Sequence, residues 1–178
     1  MNLGITRMKT AIGPITLVAG PDGLCALDFD TSREEIQARL EKRNRSEVSF
    51  DRFFPLDRYV QALSSYFGGD LHAIDSLPVD IGGTDFQRRV WLRLRRIPAG
   101  RTLGYGQLAD DLGVPGGARA VGLANGSNPV AIVVPCHRVV AANGGLGGYG
   151  GGLDRKKWLL SHEGARISAL AVSGVLPL

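Results

Sequence analysis

The sequence predicts an α+β protein in two parts: a small α+β unit, then a mostly helical half built around a helix-turn-helix. Three observations carry this expectation. Two apolar runs flank Gly20-Pro21-Asp22-Gly23, a strong hairpin turn. The pairs Ser32/Glu35 and Thr84/Gln87 have the spacing of capping boxes and so mark helix starts. The stretch YGQLADDLGVPGGARAVGLANG sets two short helical patterns on either side of a glycine turn.

Taken in order, GPITLVAGPDGLCALDFD is the hairpin and SREEIQARLEKR the first helix. Residues 55–67 place Leu56, Tyr59, Val60, Leu63 and Phe67 on one helical face. SLPVDI reads as a linker or strand. The second half opens with the helix TDFQRRVWLRLRRI, whose apolar stripe is Phe86, Val90, Leu94 and Ile97. Its arginines, Arg88, Arg89, Arg93, Arg95 and Arg96, form either a solvated basic face or one that meets phosphates. Leu108, Ala109 and Leu112 then define a short helix, Gly113 to Gly117 a turn, and Ala118 to Asn125 a second short helix. VAIVV before Pro135 reads as a buried strand, and RVVAA continues extended. The expected parts are residues 1–79, residues 80–168 and a tail at 169–178.

With 178 residues, 44% hydrophobic and 21% charged, the chain has the composition of a soluble globular protein. No apolar run approaches the roughly 18 residues of a membrane span. MNLGITRMKT lacks the apolar core of a signal peptide, so a cytoplasmic, non-secreted protein without a membrane partner is expected. The net charge of +4 is uneven: residues 1–79 carry −2 and residues 80–178 carry +6. A polyanion is therefore a reasonable partner for the second half.

Two cysteines, Cys25 and Cys136, make no disulfide framework. The histidines, His72, His137 and His162, show no metal-ligand spacing beside either of them, so no metal and no cofactor are expected. Cys25, inside an apolar strand, reads as a buried small hydrophobe. Cys136 interrupts an apolar segment, next to His137. A thiol needs a base to become a nucleophile, and a carboxylate usually orients that base. Neighbours on an extended strand point to opposite faces, so a water or a bent backbone would have to link Cys136 to His137.

The second short helix is unusual for one that reads DNA. Beyond Arg119 it offers small residues, Ala118 and Gly122 among them, where base readout in the major groove favours long hydrogen-bonding side chains. It suits close approach to a minor groove, with a tight helix-packing face as the alternative. The seven glycines among residues 144–152 read either as a flexible loop or as backbone that closely approaches a ligand.

NPVAIVVPCHRVV carries a Pro-Cys-His-Arg-Val core, and it is joined in order by Phe86, Tyr105, ARAVG, Asn128, GYGGG and KKWLLSHEG. Over about eighty residues this resembles the O6-alkylguanine-DNA alkyltransferases, the methylated-DNA–protein-cysteine methyltransferases. The resemblance implies a small ribonuclease-H-like α/β domain followed by the helix-turn-helix domain. It implies direct-reversal repair, with one irreversible transfer of an alkyl group from O6-alkylguanine to Cys136 after nucleotide flipping. O4-alkylthymine as a second substrate stays open. By the same resemblance His137 accepts the thiol proton through a water, Glu163 orients His137, and Asn128 is the hinge before the active-site segment. Tyr105 turns the 3′ phosphate and gives a proton to the leaving guanine, and Arg119 fills the gap left by the flipped nucleotide. Val139 offers a carbonyl to the base, Tyr149 a pocket wall, and Gly150 a backbone N–H where some relatives have serine. The partner implied is double-stranded DNA through its minor groove, bound by a monomer, with cooperative loading left open. Zinc ligands found near the N-terminus of some relatives are lacking, whereas the cysteine that lesion-binding but non-repairing relatives have replaced is kept. Two other classes compete: a cysteine hydrolase on Cys136, His137 and Glu163, and a non-catalytic helix-turn-helix DNA-binding protein.

Overall fold

The structure, a computed structural model, describes residues 1–166. The tail expected at 169–178 lies outside them. By its internal contacts the chain divides into two units, one of Met1–Thr84 with Pro129–Val133, the other of Asp85–Asn128 with the described residues from Val134 on.

The first unit is built on a sheet ordered β3-β2-β1-β4. The predicted hairpin is β2 (Gly13–Gly20) and β3 (Gly23–Phe29), antiparallel. The sequence reading did not include β1 (Asn2–Thr10), which pairs antiparallel with β2, nor the short β4 (Ser49–Phe50), which pairs parallel with β1. Helix α1 (Arg33–Asn44) starts at the predicted capping box, with Ser32 and Glu35 exchanging both bonds, and buries Ile36 and Leu40. Helix α2 (Asp57–Phe67) buries Tyr59, Leu63 and Tyr66, whereas Phe67, the last residue of the expected stripe, is only half-buried. SLPVDI lies beside β3, where Leu24 and Val79 form a parallel bridge. The core of this unit gathers Leu3, Val18, Cys25, Ala26, Ile36, Leu40 and Val48. Cys25 is 1% exposed and its thiol donates to the Val18 carbonyl at 3.4 Å. Burial pushes that thiol up to about 11, outweighing the nearby Arg43 charge, so it stays protonated at neutral pH.

The second unit holds helices α3 (Asp85–Leu94), α4 (Tyr105–Asp111) and α5 (Ala118–Gly126). The last two lie where the helix-turn-helix was expected. Helix α3 buries Val90, Trp91 and Leu94, and the Trp91 indole donates to the Ala124 carbonyl of α5 at 2.8 Å. Of the arginines on this helix, Arg88 pairs with Asp85, Arg93 with Asp111, and Arg89 donates to the Leu112 carbonyl. Strand β5 (Leu103–Gly104) pairs parallel with β6 (Val139–Val140), and helix α6 (Leu153–His162) follows the glycine loop. No described helix is long and apolar enough to cross a membrane.

The strand expected at VAIVV is corrected by the structure. Only Val130 bridges, to Leu27, and the chain then turns. Ile132 takes φ +70 while Val133 N–H bonds the Ala131 carbonyl at 2.8 Å, a γ-turn of the rare positive-φ kind. Pro135, at φ −81 and ψ 65, makes an inverse γ-turn in which Cys136 N–H reaches the Val134 carbonyl at 2.8 Å. Proline has no N–H for a sheet ladder, so the apolar run is buried as turns, not as a strand. Cys136–Arg138 form one 3₁₀ turn, and only then does the chain extend into β6.

Replacing Cys25 by Ala should cost about 1–2 kcal/mol in urea unfolding, the scale of a small cavity. In the folded parent at pH 8, Cys25 should resist thiol-labelling reagents; labelling at the rate of an exposed thiol would refute its place in the core.

Candidate active site

Cys136 opens the 3₁₀ turn with 7% exposure. In a turn of three residues the side chains fan out at about 120° instead of alternating, so His137 and Arg138 both reach the interior. They are 0% and 2% exposed. The reason is Glu163, just past the end of α6, which is 4% exposed and receives both of them. His137 Nε2 lies 2.9 Å from Glu163 Oε1. Arg138 donates from Nε to Oε2 at 2.9 Å and from Nη2 to Oε1 at 2.8 Å, and from Nη1 to the Ile97 carbonyl. Gly100 lets the chain after Ile97 fold back over this pair. It has φ +78, and a Cβ there would lie 2.9 Å from the Glu163 carbonyl.

The electrostatics follow from this geometry. Burial alone would raise the Glu163 carboxyl, but hydrogen bonds and charge from His137 and Arg138 override it and hold the group well below the usual carboxylate range. Glu163 is therefore an anion, and an anion facing Nε2 fixes the proton there. Nδ1 of His137 is then the bare acceptor, and it is buried with no hydrogen-bond partner among the described residues. Burial, with Arg138 and Lys156 nearby, pulls the imidazole below its ordinary value against the pull of Glu163, so the resting ring is neutral. Burial likewise raises the Cys136 thiol, opposed by a hydrogen bond from Asn128 and by the charge of Lys156. The resting nucleophile is a thiol beside a neutral base.

Asn128 also donates to the Val134 carbonyl at 2.7 Å, which braces the turn into Pro135. Tyr105 starts α4 and lies between two glycines: a Cβ on Gly122 would sit 3.8 Å from its ring, and one on Gly147 3.2 Å. Burial and the charge of Cys136 both raise the Tyr105 phenol. The ring of Tyr149 stands edge-on to His137 with centroids 6.5 Å apart. Cys136, His137, Glu163, Asn128, Tyr105 and Tyr149 thus share one site. Arg119 and Gly150 are exposed, and Ala118 is half-buried on α5. Gly150 has no heavy atom within 4 Å of the position its Cβ would take. Among the described residues no three of His, Cys, Asp and Glu gather to hold a metal.

Three residues of this site escaped the sequence reading. Lys156 is fully buried on α6 and donates to the Val139 carbonyl at 2.6 Å and the Gly148 carbonyl at 3.2 Å. It joins β6 to the glycine loop, and the Val139 carbonyl expected to face a base already accepts one bond. Burial lowers the Lys156 ammonium to about 8 and the Cys136 charge works the other way. Arg138 and Asn125 are the others. The nearest signal for Lys156 was KKWLLSHEG, where one lysine in a helix of mixed polarity marks nothing by itself.

Residues 85–165 match the family described as "6-O-methylguanine DNA methyltransferase, DNA binding domain", and residues 5–81 its "ribonuclease-like domain". The chain is 46% identical over 161 residues to a methylated-DNA–protein-cysteine methyltransferase of Shigella flexneri, covering 89% of this chain and 94% of that protein. A protein of the same name from Mycobacterium bovis is 56% identical over 110 residues, 62% of this chain and 66% of the relative. Among solved structures, the O6-methylguanine methyltransferase of Mycobacterium tuberculosis has a TM-score of 0.72 at 41% identity, covering 94% and 96% of the two chains. A structure of the protein from that organism in complex with DNA aligns equally well, at 40% identity over 95% and 96%. With both halves matched in order along an α+β chain, and its cysteine in a buried Cys-His-Glu site, the chain belongs to the 6-O-methylguanine DNA methyltransferase family.

Proposed function

We propose that this protein repairs alkylated DNA by direct reversal, as a methylated-DNA–protein-cysteine methyltransferase that moves the alkyl group of O6-alkylguanine to Cys136. The observation that carries this reading is the buried turn at Cys136: the next two side chains are locked on Glu163, and the Nδ1 of His137 is left to accept a proton. His137 takes the thiol proton, directly or through a water, and the Glu163 carboxylate stabilises the imidazolium formed. The sulfur then attacks the alkyl carbon in line. An S–C bond forms, the C–O6 bond breaks, and its electron pair passes to the guanine. Tyr105 supplies the proton that lets guanine leave neutral, and the proton on His137 restores the balance. The product is a thioether, which no group in the site can cleave, so each molecule acts once.

The alkyl group lies inside the duplex, so the nucleotide must leave the stack to reach a buried sulfur. Helix α5 suits the minor groove because Ala118 and Gly122 let its backbone come close, and Arg119 on the same helix is exposed and free to enter the stack. Basic residues of the second half supply phosphate attraction without base readout. On this reading the protein acts as a monomer on double-stranded DNA, in the cytoplasm.

Incubated with a methylated duplex, the protein should gain one methyl, on Cys136, in intact-mass and peptide mass spectrometry. Cys136→Ala should gain none and still bind the duplex. Catalytic turnover of an ester or amide in place of stoichiometric methylation would favour a hydrolase.

Arg119→Ala should slow repair in a duplex by about 10- to 100-fold, because the flipped state loses its support, while reaction with free O6-alkylguanine base stays near the parent rate. Arg119→Lys keeps the charge without the planar head and should recover part of the loss. Equal slowing on both substrates at matched salt would remove the flipping role.

A further inference from the structure

Helix α5 turns one face outward: Arg119, Ala120, Leu123 and Gly126 are exposed, while Val121, Ala124 and Asn125 are buried. Leu123 is 71% exposed, and with Arg119 it is one of the two large side chains on that face. The two stand four residues apart, so they project to the same side about 6 Å from each other along the helix axis. A lone exposed leucine needs no explanation on an ordinary surface. On this helix its neighbours give it one. Ala120 and Gly126 are too small to hold anything away from the backbone, so whatever lies along this face meets Arg119 and Leu123 first.

The floor of the minor groove tells base pairs apart by a single group. Every pair presents acceptors there, and a G·C pair adds the N2 amine of guanine, a donor that stands up from the floor. A leucine pressed onto that amine neither makes room for it nor accepts its hydrogen, and shuts out the water that did. Over an A·T pair the same leucine meets no such group.

We propose that Leu123 is a specificity-determining residue: pressed into the minor groove beside Arg119, it makes the protein favour lesions flanked by A·T pairs over lesions flanked by G·C pairs. The inference rests on the reading of α5 as the helix that enters the minor groove. It adds a sequence preference to a helix face that carries no polar side chain besides Arg119 to read a base. The discrimination comes from what the leucine excludes, not from a bond that it makes. At about 3.4 Å per base pair, the spacing from Arg119 puts the affected pair about two steps from the flipped nucleotide.

The test measures duplex affinity of full-length Cys136→Ala protein at matched salt, so that no lesion is consumed during the titration. Each duplex carries one O6-methylguanine, with A·T, G·C or inosine·C pairs on both sides of it. Inosine is guanine without the N2 amine, so its pair with C keeps the major-groove face of G·C and has the minor-groove face of A·T. The A·T and inosine·C duplexes should bind about 5- to 10-fold more tightly than the G·C duplex. Adding Leu123→Ala should weaken binding to the A·T duplex about 5-fold and bring all three duplexes within about twofold of one another. The salt dependence should stay as it was, since no charge is removed. Leu123 is exposed and alanine is the better helix former, so the substitution leaves the fold intact. An A·T preference that survives Leu123→Ala, or an inosine·C duplex that binds like G·C, would overturn the proposal. Arg119→Ala in the same background separates it from the reading beneath it. If Arg119→Ala weakens binding to every duplex while Leu123→Ala changes nothing, the proposal alone fails. If neither substitution changes any affinity, α5 is not the helix that meets DNA, and the reading fails with the proposal.

Discussion

Glu163 is a carboxylate kept ionised in a place with almost no water, and the site depends on how that charge is held. Two hydrogen bonds from Arg138 and one from His137 satisfy it, and Arg138 is in turn held by the Ile97 carbonyl. Breaking a buried pair of this kind by removing one partner typically costs about 3–5 kcal/mol, because the other charge is left unpaired. The pair therefore fixes three things together: the end of α6, the 3₁₀ turn and the tautomer of His137. Cys136 gains its base from the same contact that fastens the turn.

The linkage has a sign. Glu163 is depressed in the folded state, so its contribution is present above the ordinary carboxyl range and is lost as pH falls through the folded value. His137 is depressed too, and charging it on unfolding favours the unfolded chain as pH drops below the ordinary imidazole value. Both act in the same direction, towards loss of stability in acid. Lys156, held at about 8, adds a buried cation that becomes neutral as pH rises through that value, which removes positive charge from beside the thiol.

Local pattern carried much of the fold and the chemistry into the sequence. The Gly20-Pro21-Asp22-Gly23 turn, the Ser32/Glu35 box and the two short helices around Gly113 to Gly117 are all short-range signals, and each matches an element of the structure. The residues quoted for the family resemblance also included the Cys136, His137 and Glu163 that the structure brings together. What was illegible depends on distant partners. VAIVV has the composition of a strand whether it pairs or turns, and only Ile132 at positive φ and the γ-turn at Pro135 decide it. Arg138 and Lys156 are ordinary basic residues until the fold closes contacts 25 and 17 residues away along the chain. Asn125 reads as the polar end of a helix, and its bond to the Cys136 carbonyl spans 11 residues.

The central claim is that Glu163 forces His137 into one tautomer and so leaves Nδ1 ready for the Cys136 proton. Nitrogen-15 NMR of the histidine side chains measures this directly, and with three histidines in the chain the His137 signals can be assigned by substitution of the other two. Between pH 6 and 8 the account predicts a neutral ring with the proton on Nε2 and an unprotonated Nδ1. A proton on Nδ1, or an imidazolium at pH 7 in the unreacted protein, would contradict it.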